Sequence, residues 1–298
     1  MFRVIIIILV LISVCFSQQS SVLKKESLSR GEDIIRRAKD AAGLTSSMTS
    51  FQIKLHTSTN LKAQGIGSTI DTQDEITVSS DHKIRLLSEY KGGNLSNGGL
   101  SRFIWSENKF RQTAEFESLN GQRRVVDTTD GIQLSQNVSN AVKSKKPGTK
   151  LPTPGEAASR AAAFSDRLWG LVLPFTLIHP IEPSAKFEYI GRVQAGEQIA
   201  NFVQTTSASG HLIQLFFDEK TSSLLLLINK YSTPDKEFET KYYYSNREKR
   251  EGILIPTKFK IEYKTTSKGE IPKIIFEYID VVDFKINPKL DEKMFEIK

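Results

Sequence analysis

The chain has 298 residues, of which 39% are hydrophobic, 25% charged and 9% aromatic; that composition excludes a collagen, a wholly disordered chain and a multi-span membrane protein. Forty-one Lys and Arg against 34 Asp and Glu give a formal charge of +7, spread along the whole length, and an excess of that kind does not by itself mark a nucleic-acid binder. One Cys and four unclustered His leave nothing for a zinc site or a disulfide framework.

Residues 1–17 read as a secretory signal peptide. Arg3 supplies the positive start, and Val4 to Phe16 is an apolar run of 13 residues, too short for a hydrocarbon core that needs about 20 helical residues. Cys15 and Ser17 place small residues before a cut ahead of Gln18. The expected compartment is extracytoplasmic. The alternative is a lipoprotein anchored through Cys15 behind Leu11-Ile12-Ser13-Val14. Cleavage after Ser17 removes the only Cys, so the mature chain has no thiol for a disulfide, a metal site or a nucleophile.

Residues 18–26 are polar and predict a flexible arm, and residues 27–298 read as one domain. Ser29 and Glu32 have capping-box spacing. Ile34, Ile35, Ala38, Ala41 and Ala42 follow at helical spacing, with Gly43 placed to cap the end. This predicts an amphipathic helix of about three turns. From Ser50 the period changes to two: Phe51, Ile53 and Leu55 alternate with Gln52, Lys54 and His56, the pattern of a half-buried strand. Similar stretches recur near Glu75 to Ser79, Lys83 to Tyr90, Arg102 to Ser106, Phe110 to Phe116 and Arg123 to Asp127. Turn signals lie between them at Gly65-Ile66-Gly67, Gly92 to Gly99, Glu107-Asn108 and Asn120-Gly121. Strands and turns so closely spaced predict antiparallel hairpins, and no glycine fingerprint for a phosphate or dinucleotide occurs.

Lys143 to Pro154 predicts an exposed loop. An Ala-rich helix follows from about Glu156 to Val172, stopped by Pro174. The second half is strand after strand: Lys186 to Val193, Gln198 to Thr206, His211 to Asp218, Ser223 to Tyr231, Glu237 to Ser245, Ile253 to Tyr263 and Lys273 to Phe284. Leu224 to Ile228 is apolar on both faces, which places that strand centrally or under a helix. Met294-Phe295 predicts a terminal segment tucked against the sheet. The sum is a mainly β fold with helices: a single curved antiparallel sheet of about a dozen strands, wrapped around two or more helices. A sandwich with marginal helices is the alternative.

Candidate chemistry is sparse. His56, His82, His179 and His211 show no metal-ligand spacing and read as ordinary surface or core residues. Ser207-Ala208-Ser209-Gly210 reads as a hairpin turn, because no Gly-x-Ser-x-Gly elbow exists. Asp71, Asp74 and Glu75 read as a solvated hairpin in preference to a cation site. A glycosidase-type carboxylate pair meets only in space, so sequence does not exclude one. The expectation is a protein with no catalytic residues, no metal and no cofactor. Three basic tracts, Lys143 to Lys146, Arg123-Arg124 and Arg247 to Arg250, are candidate contacts for an envelope protein or a membrane surface, and nucleic acid is not an expected partner. Asn94 and Asn137 stand in glycosylation triplets.

What remains is apolar surface. If both helices lie over a concave sheet, Ile34, Ile35, Trp169, Leu173 and Phe175 meet Phe51, Ile53, Trp105, Phe110, Phe116 and Phe259. Those faces make either a close-packed core or a pocket for an acyl chain.

Several motifs, in order along the chain, carry a resemblance. Ile35 to Gly43 forms the opening helix, ahead of the strand Phe51 to His56. Phe217 to Leu224 follows, with Asp218 and Thr221 introducing the next strand. Arg250 to Phe259 contains a Gly-(x)₃-Pro spacing at Gly252 and Pro256, and Val282 to Ile297 contains Asn287-Pro288 and Asp291 to Phe295. Together they resemble the LolA/LolB-type outer-membrane lipoprotein-sorting (lipoprotein carrier) superfamily, while Gly92 to Pro183 matches only by pattern. The resemblance implies a half-open β-barrel closed by helices. It also implies passive shielding of a lipid or lipoprotein acyl chain in transit through the periplasm, the eleven apolar residues above forming the cavity. A non-catalytic interaction module of a cell-envelope complex, with a filled core, is the other functional expectation.

Overall fold

The computed structural model describes residues 24–44, 48–63, 66–81, 83–93, 96–106, 109–118, 123–129, 132–139, 164–179 and 182–296. The expected signal peptide with Cys15, the start of the arm, His82, Asn94, the loop at 143–154 and the start of the second helix lie outside those residues. Among them, no helix is long and apolar enough to cross a membrane.

Fourteen strands form one antiparallel sheet among the described residues. The first half supplies β1 (Phe51–Ala63), β2 (Ile66–Val78), β3 (Ile84–Gly93), β4 (Ser96–Ser106), β5 (Lys109–Ser118), β6 (Arg123–Thr129) and β7 (Ile132–Ser139). The second half supplies β8 (Glu188–Ala195), β9 (Gln198–Thr206), β10 (Leu212–Asp218), β11 (Leu224–Ser232), β12 (Lys236–Arg250), β13 (Ile253–Ser267) and β14 (Lys273–Ile286). Each half is a meander of hairpins, and the two meet where β1 pairs with β14. β7 and β8 are the two edges, so the sheet is not closed. Periodicity placed only the end of β2, at Glu75 to Val78, and missed its polar start, Ile66 to Asp74, and it missed β7.

The sheet curls because its inner residues must share one core. Ile84 of β3 and Val203 of β9 stand far apart in strand order, yet both are fully buried in the same cluster. Helices fill the trough. Residues 24–42 form α1, 164–171 form α2 and Leu173–Thr176 forms α3. α1 includes Lys24 to Glu26, the end of the expected arm, so Ser29 sits inside the helix and does not cap it. Ser27 and Arg30 account for this start: the Ser27 hydroxyl donates to the Tyr189 carbonyl at 2.7 Å, and the Arg30 guanidinium lies 4.1 Å from the Tyr189 ring centroid. Gly43 caps the other end at φ +74°, as its position predicts.

Two seams fix the register. Asn287, at φ +46°, accepts at Oδ1 from the Thr49 and Ser50 amides at 2.9 and 3.1 Å, tying the end of β14 to the start of β1. Glu251 and Gly252, at φ +51° and +84°, make the tight turn between β12 and β13. Pro256 stands opposite Arg247 of β12, on the stretch of β13 that precedes its pairing with β14 at Lys258, so on the β14 side no partner strand meets its missing N–H. The terminal segment is tucked against the sheet as expected. Phe295, 1% exposed, closes a 3-10 turn (Glu292–Phe295) on the outer face of β3 and β4.

Candidate functional site

α2 is buried except at Arg167, which is half-buried, with Phe164, Leu168, Trp169 and Leu171 among the core. A helix so deeply packed is expected to be apolar all round, yet it carries adjacent charges at Asp166 and Arg167. Its close seat depends on Gly170: a Cβ there would stand 2.0 Å from the Tyr242 ring.

The inner face of the sheet changes character along the strands. At one end Phe51, Ile53, Phe259 and Phe284 surround Phe175, whose ring lies 5.8 Å from Phe259 and 5.6 Å from Phe284. Toward the other end the facing residues become polar. Thr57 pairs across to Thr72, Leu55 to Asp74 and Thr59 to Glu277, while Tyr263, Thr240 and Asn229 face one another across β13, β12 and β11. The interior therefore has an apolar end and a polar end, and α2 spans the boundary between them.

A cavity of about 330 Å³ opens at the polar end. Asp166, Arg167 and His211 line it with Asn229, Tyr231, Phe238, Thr240, Tyr242, Tyr263, Lys264 and Thr265. It reaches the surface beside Tyr231, which is 37% exposed. His211, Tyr231 and Phe238 stack in a row across adjacent strands, with ring centroids 4.2 and 4.4 Å apart.

The Asp166 carboxylate accepts from Ser209 Oγ at 3.0 Å through Oδ1, and Oδ2 stands 2.5 Å from His211 Nδ1. Burial pushes the Asp166 carboxyl above the usual range, against the pull of His211. Ser209 donates to the carboxylate and not to the imidazole, so the three do not form a nucleophile–base–acid relay.

Arg167 is the unusual group. Among the described residues its guanidinium makes no hydrogen bond or ion pair, and Nε is buried without a partner. Burial opposes its charge, yet Tyr263, Glu277, Asp74 and Tyr242 outweigh that cost and raise its pKa. Burial also raises the Tyr242 and Tyr263 hydroxyls above the ordinary tyrosine value. Both are therefore neutral at pH 7, and the balancing charges are Glu277 and Asp74. Glu277 accepts from Tyr263 at 2.8 Å and from Thr59 at 3.2 Å, and Asp74 accepts at Oδ2 from Thr57 at 3.1 Å while its Oδ1 is buried without a hydrogen-bond partner.

Of the eleven apolar residues expected to form the cavity, Ile34, Ile35, Phe51, Ile53, Trp169, Leu173, Phe175 and Phe259 are brought together as buried members of one core cluster, and Trp105 packs against it half-buried. The side chains of Phe110 and Phe116 lie outside the described residues. None of the eleven lines the cavity at Arg167.

Other expectations change. Asp74 is not a solvated hairpin residue; it is 3% exposed inside the sheet, because alternation sends Asp71 and Glu75 to the opposite face. No cluster of metal-ligating side chains occurs among the described residues. His179 is buried against Trp169, ring centroids 4.3 Å apart. The tract Arg247 to Arg250 is folded onto the protein: Arg247 donates to the Leu224 carbonyl and Arg250 to those of Val281 and Val282. The side chains of Arg123, Arg124 and Asn137 lie outside the described residues, as does the tract Lys143 to Lys146. Sequence reading passed over Asp166 and Arg167, although adjacent opposite charges in an otherwise apolar helix are a legible signal of a polar group inside a core.

No known family profile matches the chain, and no curated protein matches it in sequence. Solved structures similar to it include a DUF1329 family protein from Desulfovibrio piger, at 11% identity and a TM-score of 0.49, covering 91% of this chain and 97% of that one. A LolA superfamily protein from Nitrosomonas europaea matches at 10% identity and 0.48, covering 90% and 97%. An outer membrane lipoprotein-sorting protein domain from Vibrio parahaemolyticus matches at 8% and 0.47, again covering 90% and 97%. At such identities the likeness concerns the backbone arrangement alone.

Proposed function

We propose that the chain is a periplasmic carrier or sensor that holds a lipid, or the acyl chain of a lipoprotein, between the curved sheet and its helices. The observation that carries this reading is the shape of the interior. An unclosed sheet wraps apolar helices, and a cavity opens directly beside one of them. Displacing α2 and α3 would turn the faces of Leu168, Trp169, Leu173 and Phe175 into the lining of an apolar trough. Burying ligand there is favourable at about 25 cal/mol per Å² of apolar surface, and closure of the helices is a shift between two packings. No catalytic step belongs to this function.

A membrane or envelope partner receives the ligand. The hairpin between β13 and β14 supports a membrane contact, since Ile271 at its tip is 87% exposed and Lys268 and Lys273 flank it in the open. An exposed apolar residue with two lysines against the single acid Glu270 suits an anionic lipid surface.

The second reading, a non-catalytic interaction module of an envelope complex with a filled core, is favoured by one observation. Trp169, Leu173 and Phe175 are fully buried against their own chain. Native mass spectrometry of the protein purified from its own envelope, followed by organic extraction, separates the two. Stoichiometric lipid or acylated peptide supports the carrier. A clean apo mass with no uptake on lipid titration rejects it in favour of the module.

A further inference from the structure

Cations on the outer face of the sheet are commonly set against carboxylates. Lys230 and Lys241 both reach Glu239, at 2.9 and 3.1 Å, Lys241 also reaches Glu262 at 3.5 Å, and Lys258 stands 3.7 Å from Asp280. Opposite charges across neighbouring strands steady a sheet, whereas like charges gathered on one face repel. One place on the first half departs from this pattern.

A cleft of about 490 Å³ lies where the terminal 3-10 turn crosses β3 and β4. Its cations are Arg85 of β3, Arg102 of β4, Arg111 of β5 and Lys293 of the turn. Register explains the grouping. Arg85 and Arg111 oppose Ile104 from its two sides, and Arg102 stands two residues from Ile104 on the same strand and face. Glu75 holds Arg85 at 3.1 Å, and among the described residues Glu296 is the one carboxylate in the lining. Arg102 and Lys293 make no ion pair among the described residues, and both are exposed. The floor is apolar: Ile104 is 6% exposed, and Met294 lines the cleft beside Lys293.

Three arginines around an apolar floor suit carboxylates. The guanidinium fork matches a carboxylate in two parallel bonds, and it is less tightly hydrated than an ammonium, so it gives up water at an interface more readily. Arginine clusters recur where acidic motifs are held. A cleft of this volume takes several groups and not one ion, and the apolar floor offers a side chain a seat between the carboxylates. Position separates the cleft from the membrane contact. Arg85 stands level with Gln52 of β1 through Thr77, while the β13–β14 hairpin reaches past Asn60. From Gln52 to Asn60 the strand runs about 27 Å, so a membrane met by Ile271 lies at the far end of the sheet.

We propose that the cleft formed by Arg85, Arg102, Arg111 and Lys293 docks an acidic peptide segment of a partner protein. Two or more Asp or Glu side chains of that segment reach the cations, and an apolar side chain between them covers Ile104. A carrier and an interaction module would both use such a site, so the proposal does not depend on what the interior holds.

Fluorescence anisotropy of the full mature chain is the test, with a labelled octapeptide of Glu and Ala around a central Leu, and with its counterpart carrying Gln for Glu. The Glu peptide is expected to bind about tenfold more tightly, and to weaken as added salt screens the pairs. Arg102→Glu with Lys293→Glu is expected to weaken its binding about tenfold, and exchange of two exposed side chains leaves the fold intact. Lys268→Glu with Lys273→Glu makes the same change in net charge at the β13–β14 hairpin. It is expected to hold peptide affinity within about twofold, which separates a docking site from the attraction of a basic chain for any acid. Equal affinity for the two peptides, or an equal loss in the two double variants, overturns the proposal. Vesicles of phosphatidylglycerol and phosphatidylcholine are the third ligand. If they displace the Glu peptide from the parent, and Arg102→Glu with Lys293→Glu abolishes their cosedimentation, the cleft is a membrane contact and the peptide reading falls.

Discussion

The Tyr244 hydroxyl of β12 donates to the Gly170 carbonyl of α2 at 3.0 Å, with both groups buried. Two residues earlier, on the same face, the Tyr242 ring occupies the space a Gly170 side chain would need. Two tyrosines of one strand thus seat the helix that carries both the charged pair and the core tryptophan. Gly170→Ala forces an overlap at 2.0 Å with that ring and is expected to cost more than about 2 kcal/mol. Tyr244→Phe removes one buried hydrogen bond and is expected to cost about 1–2 kcal/mol. Urea unfolding of both variants measures the difference, and a Gly170→Ala variant as stable as the parent would refute the packing argument.

His179 makes the fold sensitive to acid. Its Nδ1 accepts from the Glu182 amide at 3.0 Å, which leaves Nε2 as the protonated nitrogen, 3.1 Å from the Ser165 carbonyl. The neutral ring satisfies both bonds, and protonation breaks the first. Burial lowers its pKa from 6.5 to about 4. Because the folded pKa lies below the unfolded one, the unfolded state binds more protons between them. The associated stability is present above about pH 6.5 and is lost as pH falls toward 4, about 3 kcal/mol over the window. Melting temperatures between pH 7 and 4 should fall with that slope, and His179→Gln should flatten the curve.

Asn287 combines a left-handed backbone with an acceptor shared by Thr49 and Ser50. Asn287→Ala loses the acceptor and places a poor residue at positive φ, with an expected cost of about 2–3 kcal/mol. Asn287→Asp retains an acceptor at a tolerated φ and should stay within about 1 kcal/mol of the parent. Denaturant midpoints of the pair distinguish a register lock from a passive loop, for which the two would match.

Ile271 is 87% exposed, so Ile271→Glu should leave the melting temperature unchanged. Its expected effect is on cosedimentation with vesicles containing anionic lipid, reduced several-fold and further reduced when Lys268 and Lys273 become Glu. Equal cosedimentation of parent and triple variant would remove the hairpin from the membrane contact.

The motifs behind the family resemblance acquire local causes here. Asp218 Oδ1 accepts from the Lys220 and Thr221 amides and the Thr221 hydroxyl at 3.0, 2.6 and 2.8 Å, so that acidic–Thr spacing is a turn device. Gly252 and Asn287 hold positive φ at two further joins. These residues speak for chain reversal and register, and none of them lines the cavity at Arg167.

The sequence by itself determined most of the architecture. Phe259, Ile261 and Tyr263 alternating with Lys260 and Glu262 assign a face to each residue of β13, because strand period is a local property of the backbone. Dense turns forced antiparallel hairpins, and the two Ala-rich or amphipathic stretches had no other place to bury their faces. Tertiary structure alone decided where polarity sits inside. Asp74, Glu277 and Arg167 lie 93 and 110 positions apart in order of the chain, and only the pairing of β1 with β14, with α2 laid across it, brings them to one end of the trough. Pattern along one strand cannot report which strand lies beside it or how far the sheet curls. That is why an apolar pocket was legible in Phe51, Trp169 and Phe175, while the cavity at Arg167 was not.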